Sequence, residues 1–367
     1  MISDRIRLAR RKAGLSLRGL SSHMDGYVTA QAIGKYERGE DTPSSGALIA
    51  LSKALGVSLA WLLDTQSVEL SGVEFRTKAS TTARDRARVE TEVLEWTDRY
   101  LQIEEILDLD SKSWRSPLSK PLCLENIAEA ECLAAEVRGR WRLGTGPIPN
   151  ITGVLEEKGL KVLIVPLPPR VSGFTCLVRR QRGQSGLPVV VVNQHFPLER
   201  RRFTLAHELA HRLIVAPNLS GPDQEKAANL FAGAFLIDRT HLLGETGARR
   251  HALGYREIVD LKRLYRVSGA ALLVRLRQTG IINEPALTYA FQTIARGWRT
   301  QEPDELEPPD GRGQQERPRR FERLCYHALA EGLISLSKAA ELLRLPVQDV
   351  EAGLRGPRWN RVDHRPS

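Results

Sequence analysis

Apolar residues near the start of the chain recur at steps of three and four, in short runs broken by turn-forming residues. Ile2, Ile6, Ala9 and Ala13 fall on one helical face, and Gly14 supplies the stop. Ser16 opens a second helix through Leu20 to Met24, Asp25-Gly26-Tyr27 makes a turn, and a third helix runs from Thr29 to Glu37. Ser44 caps a helix to Leu55 and Ser58 one to Leu63, so five short helices are predicted. The Ser/Thr-rich residues 65–82 read as a linker. After them Val89, Val93, Trp96, Tyr100, Ile103 and Leu107 form a seam. Such a seam buries itself against one partner, either a second copy of the chain, giving a homodimer, or the chain's own central domain at 117–300.

Further on the period changes. Helices are expected at Asn126–Trp141 and Ile151–Lys158, then strands at Leu160–Val165, Val171–Val178 and Val189–Asn193, with a turn at Gly183–Gly186. An edge strand can receive an extended polypeptide by strand addition, and one of the last two strands is expected to do so. A helix around residues 202–211 is followed by the breaker run Ser220-Gly221-Pro222-Asp223 and a helix from Gln224 to Leu236. Helices are expected again at Tyr255–Leu264 and Gly269–Thr279. Residues 301–320, crowded with Pro, Glu, Asp, Gln and Arg, read as a mobile linker before three short helices. The fold class expected is mainly α with a small β-sheet, α+β. Its parts are a five-helix all-α domain at 1–66, a linker and amphipathic helix at 67–116, a central domain at 117–300, a flexible linker at 301–320 and a small helical region at 321–367.

Composition adds compartment and partner class. Apolar residues make up 41% and charged ones 27%, an ordinary globular balance. No run of about 18 apolar residues is present, so no membrane helix is expected. Charges in Met1-Ile2-Ser3-Asp4-Arg5 argue against an export signal, and four scattered cysteines without C-x-x-C spacing suit a reducing cytoplasm. The formal charge of +10 is concentrated in Arg179–Arg182, Arg200–Arg202 and Arg317–Arg320, which favours polyanions, nucleic acid first.

The candidate chemistry lies in Arg202-Phe203-Thr204-Leu205-Ala206-His207-Glu208-Leu209-Ala210-His211. On a helix, residues four apart stack on one side, so His207 and His211 can aim at one cation, zinc by ligand type. Glu208 stands beside them as a proton acceptor that need not ligate. A catalytic zinc site wants a third protein ligand. A third histidine six residues on is excluded, because Pro217 stands there and Ile214 replaces the required glycine. Glu225 on the next helix could reach back, and Asn229 lies one turn further on the same face, placed to fix a histidine tautomer. Two nitrogen donors and one oxygen also suit manganese.

Residues 121–240 resemble the ImmA/IrrE family of gluzincin-like metallopeptidases, through residues 202–211 and the segment Glu225–Asn229 followed by Phe231-Ala232. The resemblance implies a zincin-like domain with His207, His211 and Glu225 as metal ligands, Glu208 as general base and Asn229 behind them. Ala210 and Ile237-Asp238 depart from the family pattern without touching a ligand. For the oxyanion formed in such chemistry, His241, His251 and Tyr255 are weaker candidates.

Residues 5–64 resemble the Xre/Cro repressor family. The resemblance rests on Arg10–Ser16, Ile33–Gly39, Pro43-Ser44, Leu48, Leu51, Leu55 and the block Val57-Ser58 with Trp61–Leu63. It implies a helix-turn-helix whose third helix enters the major groove of an operator in double-stranded DNA, with Thr29, Gln31 and Lys35 facing bases or phosphates. Leu17 stands where the family often has glutamine, and the turn between Met24 and Thr29 is two residues longer than usual. Similar helical tails occur in the ImmA/IrrE group, so residues 321–367 are expected to dock or regulate.

Together these readings describe a DNA-binding, metal-dependent endopeptidase that regulates transcription by cutting a repressor or antitoxin protein. The alternative is an operator-binding repressor whose peptidase-like domain senses a ligand or holds a structural metal and cleaves nothing.

Overall fold

The computed structural model describes residues 2–63, 69–71, 83–109, 114–179, 186–298 and 301–356. The turn expected at Gly183–Gly186 falls almost wholly outside them, as does most of the 65–82 linker. In chain order come α1 (Ile2–Ala13), α2 (Leu17–His23), α3 (Ala30–Arg38), α4 (Ser45–Leu55) and α5 (Leu59–Leu63), then β1 (Glu69–Ser71) and α6 (Ala83–Ile106). Next are β2 (Leu122–Cys123), α7 (Glu129–Arg140), α8 (Ile151–Glu157), β3 (Lys161–Val165), β4 (Gly173–Arg179) and β5 (Leu187–Asn193). They lead to α9 (Leu198–Leu213), β6 (Ile214–Val215), α10 (Gly221–Leu236) and α11 (Arg239–Thr246). The remainder is α12 (Tyr255–Tyr265), α13 (Gly269–Gln278), α14 (Glu284–Gln292), α15 (Arg320–Ala330), α16 (Leu336–Leu343) and α17 (Val347–Arg355). The fold is α+β, helical apart from small sheets. It divides into two compact units, one of Met1–Val68, Ala83–Lys112 and Arg319–Ser367, the other of Glu69–Thr82 and Ser113–Pro318.

In the first unit the apolar positions read from the sequence meet in one core. Ile6, Leu20, Ile33, Leu51 and Leu62 are all fully buried. Ser16, Thr29, Ser44 and Ser58 each accept a backbone N–H at a helix start, satisfying donors that would otherwise be orphaned. The long turn before α3 is made by Asp25 and Gly26, at φ 51° and 73°. Arg10 of α1 holds Glu37 of α3 through two bonds of 2.5 and 2.8 Å, which fixes the angle at which α3 is presented. The α6 seam is filled from its own unit. Val89, Val93, Tyr100 and Ile103 are buried, and Trp96 and Tyr100 pack on Phe321 of α15 at ring distances of 6.3 and 5.4 Å.

In the second unit the four-stranded sheet has the order β1-β4-β5-β3, with β5 parallel to β3 and antiparallel to β4. Every position of β5 is buried, as its unbroken apolar run requires of a strand covered on both faces. Pro188 is tolerated there because pairing with β3 begins only at Val189, so the missing N–H spoils no bond on that side. Being interior, β5 cannot take an added strand. β4 lies between β1, which pairs with it over Leu177–Arg179, and β5, which pairs with it over Gly173–Val178.

Two expectations are corrected here. The helix α10 begins at Gly221, not Gln224, because Ser220 caps it and Pro222 lies in its first turn, where no N–H is needed. Residues 301–318 are not a mobile linker but a strap laid over α9. Glu307, 1% exposed, receives Arg201 at 2.5 Å, and Glu316 receives Arg202, itself 0% exposed. The Arg200–Arg202 cluster is thereby removed as a polyanion surface, since two of its three charges are buried and paired.

Candidate metal centre

The helix α9 carries its ligand candidates because Leu205, Leu209 and Leu213 bury one side in the core while His207 and His211 leave the other towards a cleft. Their Nε2 atoms lie 2.9 Å apart. Glu225, in the second turn of α10, brings its carboxylate to 3.4 Å from His207 Nε2 and 3.7 Å from His211 Nε2. Donors bound to one tetrahedral zinc at about 2.0–2.2 Å would lie roughly 3.3 Å from one another. The three donors are within 4.8 Å of each other, so they fit a single cation of that size. Asn229 Oδ1 is 3.0 Å from His207 Nδ1. With the amide oxygen on that side, Nδ1–H donates to it and the Nε2 lone pair is left facing the other donors.

α10 is held at its far end by arginines from two neighbours. Arg138 of α7 donates to Phe235 O at 2.6 Å, and Arg275 of α13 to Ile237 O at 3.0 Å, satisfying terminal carbonyls. Arg275 is itself gripped by Glu131 through two 2.6 Å bonds.

Two cavities open on the donors. One, of about 310 Å³, is lined by Arg170, Ser172, Gly173, His207, Glu208 and Glu225 among others. The other, of about 390 Å³, is lined on the His211 side by Thr175, Glu208, Arg212, Pro217 and Gln224. Glu208 faces both, 8% exposed, and Gly173 at the start of β4 runs past both. A side chain at 173 would strike Val191 O at 2.5 Å and Thr204 Cγ2 at 2.7 Å, so glycine is what lets this strand lie against α9. The preceding loop is pinned by Asn193, fully buried, whose side chain donates to Val171 O at 2.9 Å and accepts from Leu167 N at 3.2 Å. The sequence does not mark Gly173 or Asn193; the signal it offers is a glycine at the start of a strand with alternating apolar positions.

Other candidates stand elsewhere. His241 Nδ1 is 2.8 Å from Tyr265 OH, Tyr255 packs near Trp298, and His251 is exposed; none of the three lines either cavity. Cys176 is buried, and burial above all pushes its thiol up to about 12, which disfavours the thiolate a metal would need. In the first unit Thr29 is the cap of α3, and Thr29, Gln31 and Lys35 are all exposed. Arg38, on the same helix, is instead drawn to Glu40 at 2.6 Å.

Among the described residues no helix is long and apolar enough to cross a membrane. No curated protein matches the chain. Two family profiles do: the IrrE N-terminal-like domain, Peptidase M78, over residues 155–277, and the helix-turn-helix family over residues 6–62. The first match includes every residue of the metal candidate, and the second every residue proposed to face DNA. The chain therefore joins a helix-turn-helix domain to an IrrE N-terminal-like domain of the Peptidase M78 family, the make-up of a DNA-binding regulator with a peptidase-like domain.

Proposed function

We propose that this protein is a DNA-bound, metal-dependent endopeptidase that regulates transcription by cutting a repressor or antitoxin protein. The observation that carries the reading is the convergence of two imidazoles and a carboxylate beside Glu208, in a cleft that Gly173 at the start of β4 also lines. His207, His211 and Glu225 would hold zinc, or manganese with the same donor set. Such an ion supplies Lewis acidity, which makes water acidic near neutral pH and polarises a carbonyl.

The chain's own residues do the rest. Glu208, buried beside the donors, takes the proton of the attacking water and passes it to the leaving nitrogen. Asn229 holds the His207 ring in the tautomer that presents Nε2. Gly173, with no side chain to stand in the way, leaves room for an extended substrate to lie along the cleft beside Glu208. The helix-turn-helix domain, through Gln31 and Lys35 on the exposed side of α3, brings this cleft to an operator, where tethering raises the effective concentration of a target bound nearby.

The test compares protein N-termini in cells carrying the wild type or Glu208→Gln. The variant keeps metal and DNA binding but loses new N-termini and regulation. Normal regulation by the variant would instead leave an operator-binding protein whose peptidase-like domain senses a ligand or holds a structural metal.

A further inference from the structure

We infer that a third cavity, of about 450 Å³ beside the metal cleft, is a specificity pocket for one large apolar or aromatic side chain of the polypeptide substrate. This rests on the endopeptidase reading above and adds where selectivity resides. The cavity shares Arg200 and Phe203 with the metal cleft, so the two spaces adjoin along α9. Phe203 precedes His207 by one helical turn, about 6 Å along the axis. An extended peptide covers that distance in about two residues, each roughly 3.3 Å long. A substrate lying over the donors would thus put a side chain into the cavity about two positions from the scissile bond.

Its walls choose the occupant. Phe196, Phe203 and Trp298 supply the aromatic faces. Arg200 stacks 3.8 Å over Phe196 and donates to Ser172 Oγ at 2.9 Å, which holds it as a partition on the cleft side. Trp298 lies so close to α13 that a Cβ at Gly269 would meet its ring at 2.8 Å. The acids along the wall are already engaged: Glu199 with Lys262 at 2.5 Å, Glu302 with Gly269 N at 2.6 Å, and Glu305 with Arg312 at 3.4 Å. A basic side chain would have to compete with Lys262, the Gly269 N–H and Arg312 for these carboxylates, whereas a large apolar one would displace water from aromatic surface. On the other side of the donors the cavity carries Arg212, Gln224 and Thr175, so the two flanks of the scissile bond are read by different chemistry.

The experiment uses the full chain loaded with zinc and a peptide library made from a digested proteome, with cleavage sites sequenced. Expected is enrichment of Phe, Leu, Met or Trp at one position within about two residues of the cut. Ala271→Phe, which fills the cavity from α13, should lower kcat/KM for such peptides about 10–100-fold and leave peptides with Ala at that position unaffected. Binding of a labelled preferred peptide to the Glu208→Gln chain, read by polarisation, should weaken by a similar factor when Ala271→Phe is added. The smaller change Ala270→Val should act in the same direction, and uptake of one zinc per chain reports folding of both variants. Cleavage without that preference, or a preference unmoved by both substitutions, overturns the pocket and leaves the peptidase. Absence of any cut that depends on Glu208 overturns both.

Discussion

Removing the Glu316 carboxylate should loosen the helix that bears both histidines. Arg202 is 0% exposed; its Nη1 donates to Glu316 and its Nη2 to Ile148 O at 2.7 Å. Its Nε is buried without a partner, so no spare acceptor stands ready to replace the lost one. Glu316 also receives Arg266 at 3.0 Å and the backbone N–H of Ile151 at 3.1 Å, and therefore ties α8, α9 and α12 together. Taking away one partner of a buried pair costs about 3–5 kcal/mol, because the remaining charge stays desolvated. At about 2–4 °C per kcal/mol for a domain of this size, Glu316→Ala should lower the melting temperature of the peptidase-like unit by roughly 10 °C. The assay is calorimetry of the full chain. Arg202→Met combined with Glu316→Ala should recover most of the loss, since an apolar side chain leaves no stranded charge. A single-variant shift below about 2 °C, or a double variant worse than the single, would refute the claim that the strap fastens α9.

Three further outcomes follow from the site. Gly173→Ala forces β4 off α9, costing about 1–3 kcal/mol by overpacking, and should weaken peptide binding more than zinc binding; equal loss of both in titrations would count against the role given to this strand. Asn229→Ala should reduce zinc affinity about 10–100-fold by freeing the His207 ring, checked by competition with a chelating dye; an unchanged affinity would remove Asn229 from the site. Burial foremost pushes the Glu302 carboxyl up to about 7, against the pull of Gly269 N–H and Lys262. Because the ordinary value is about 4.3, the folded chain holds this proton more tightly than the unfolded one, and stability should fall as pH rises from about 5 to 7. Glu302→Gln should flatten that slope in thermal melts; parallel curves for the two proteins would exclude the assignment.

What the sequence disclosed and what it withheld divide along contact range. His207 with His211, and Glu225 with Asn229, are each four apart on a helix, and such spacing survives folding unchanged. The caps at Ser16, Ser44 and Ser58 are equally local. By contrast Arg201 finds Glu307 and Arg202 finds Glu316 across 106 and 114 residues, and a polar, proline-rich strap carries no periodic sign of that pairing. The α10 start was hidden because Pro222 reads as a breaker unless its place in the first turn is known. The partner of the α6 seam came from α15, far along the chain, so the apolar pattern fixed which face was buried but not against what. Gly173 and Asn193 matter through backbone approach and loop pinning, which a single sequence does not mark.

The most direct measurement is X-ray absorption at the zinc edge on the full chain with one equivalent of metal. Two imidazole nitrogens near 2.0–2.1 Å and a carboxylate oxygen at about 2.0–2.2 Å are expected, with the imidazole signal lost in His207→Ala combined with His211→Ala. A shell containing sulfur, or one unchanged by those substitutions, would contradict the convergence of α9 and α10 on a single cation.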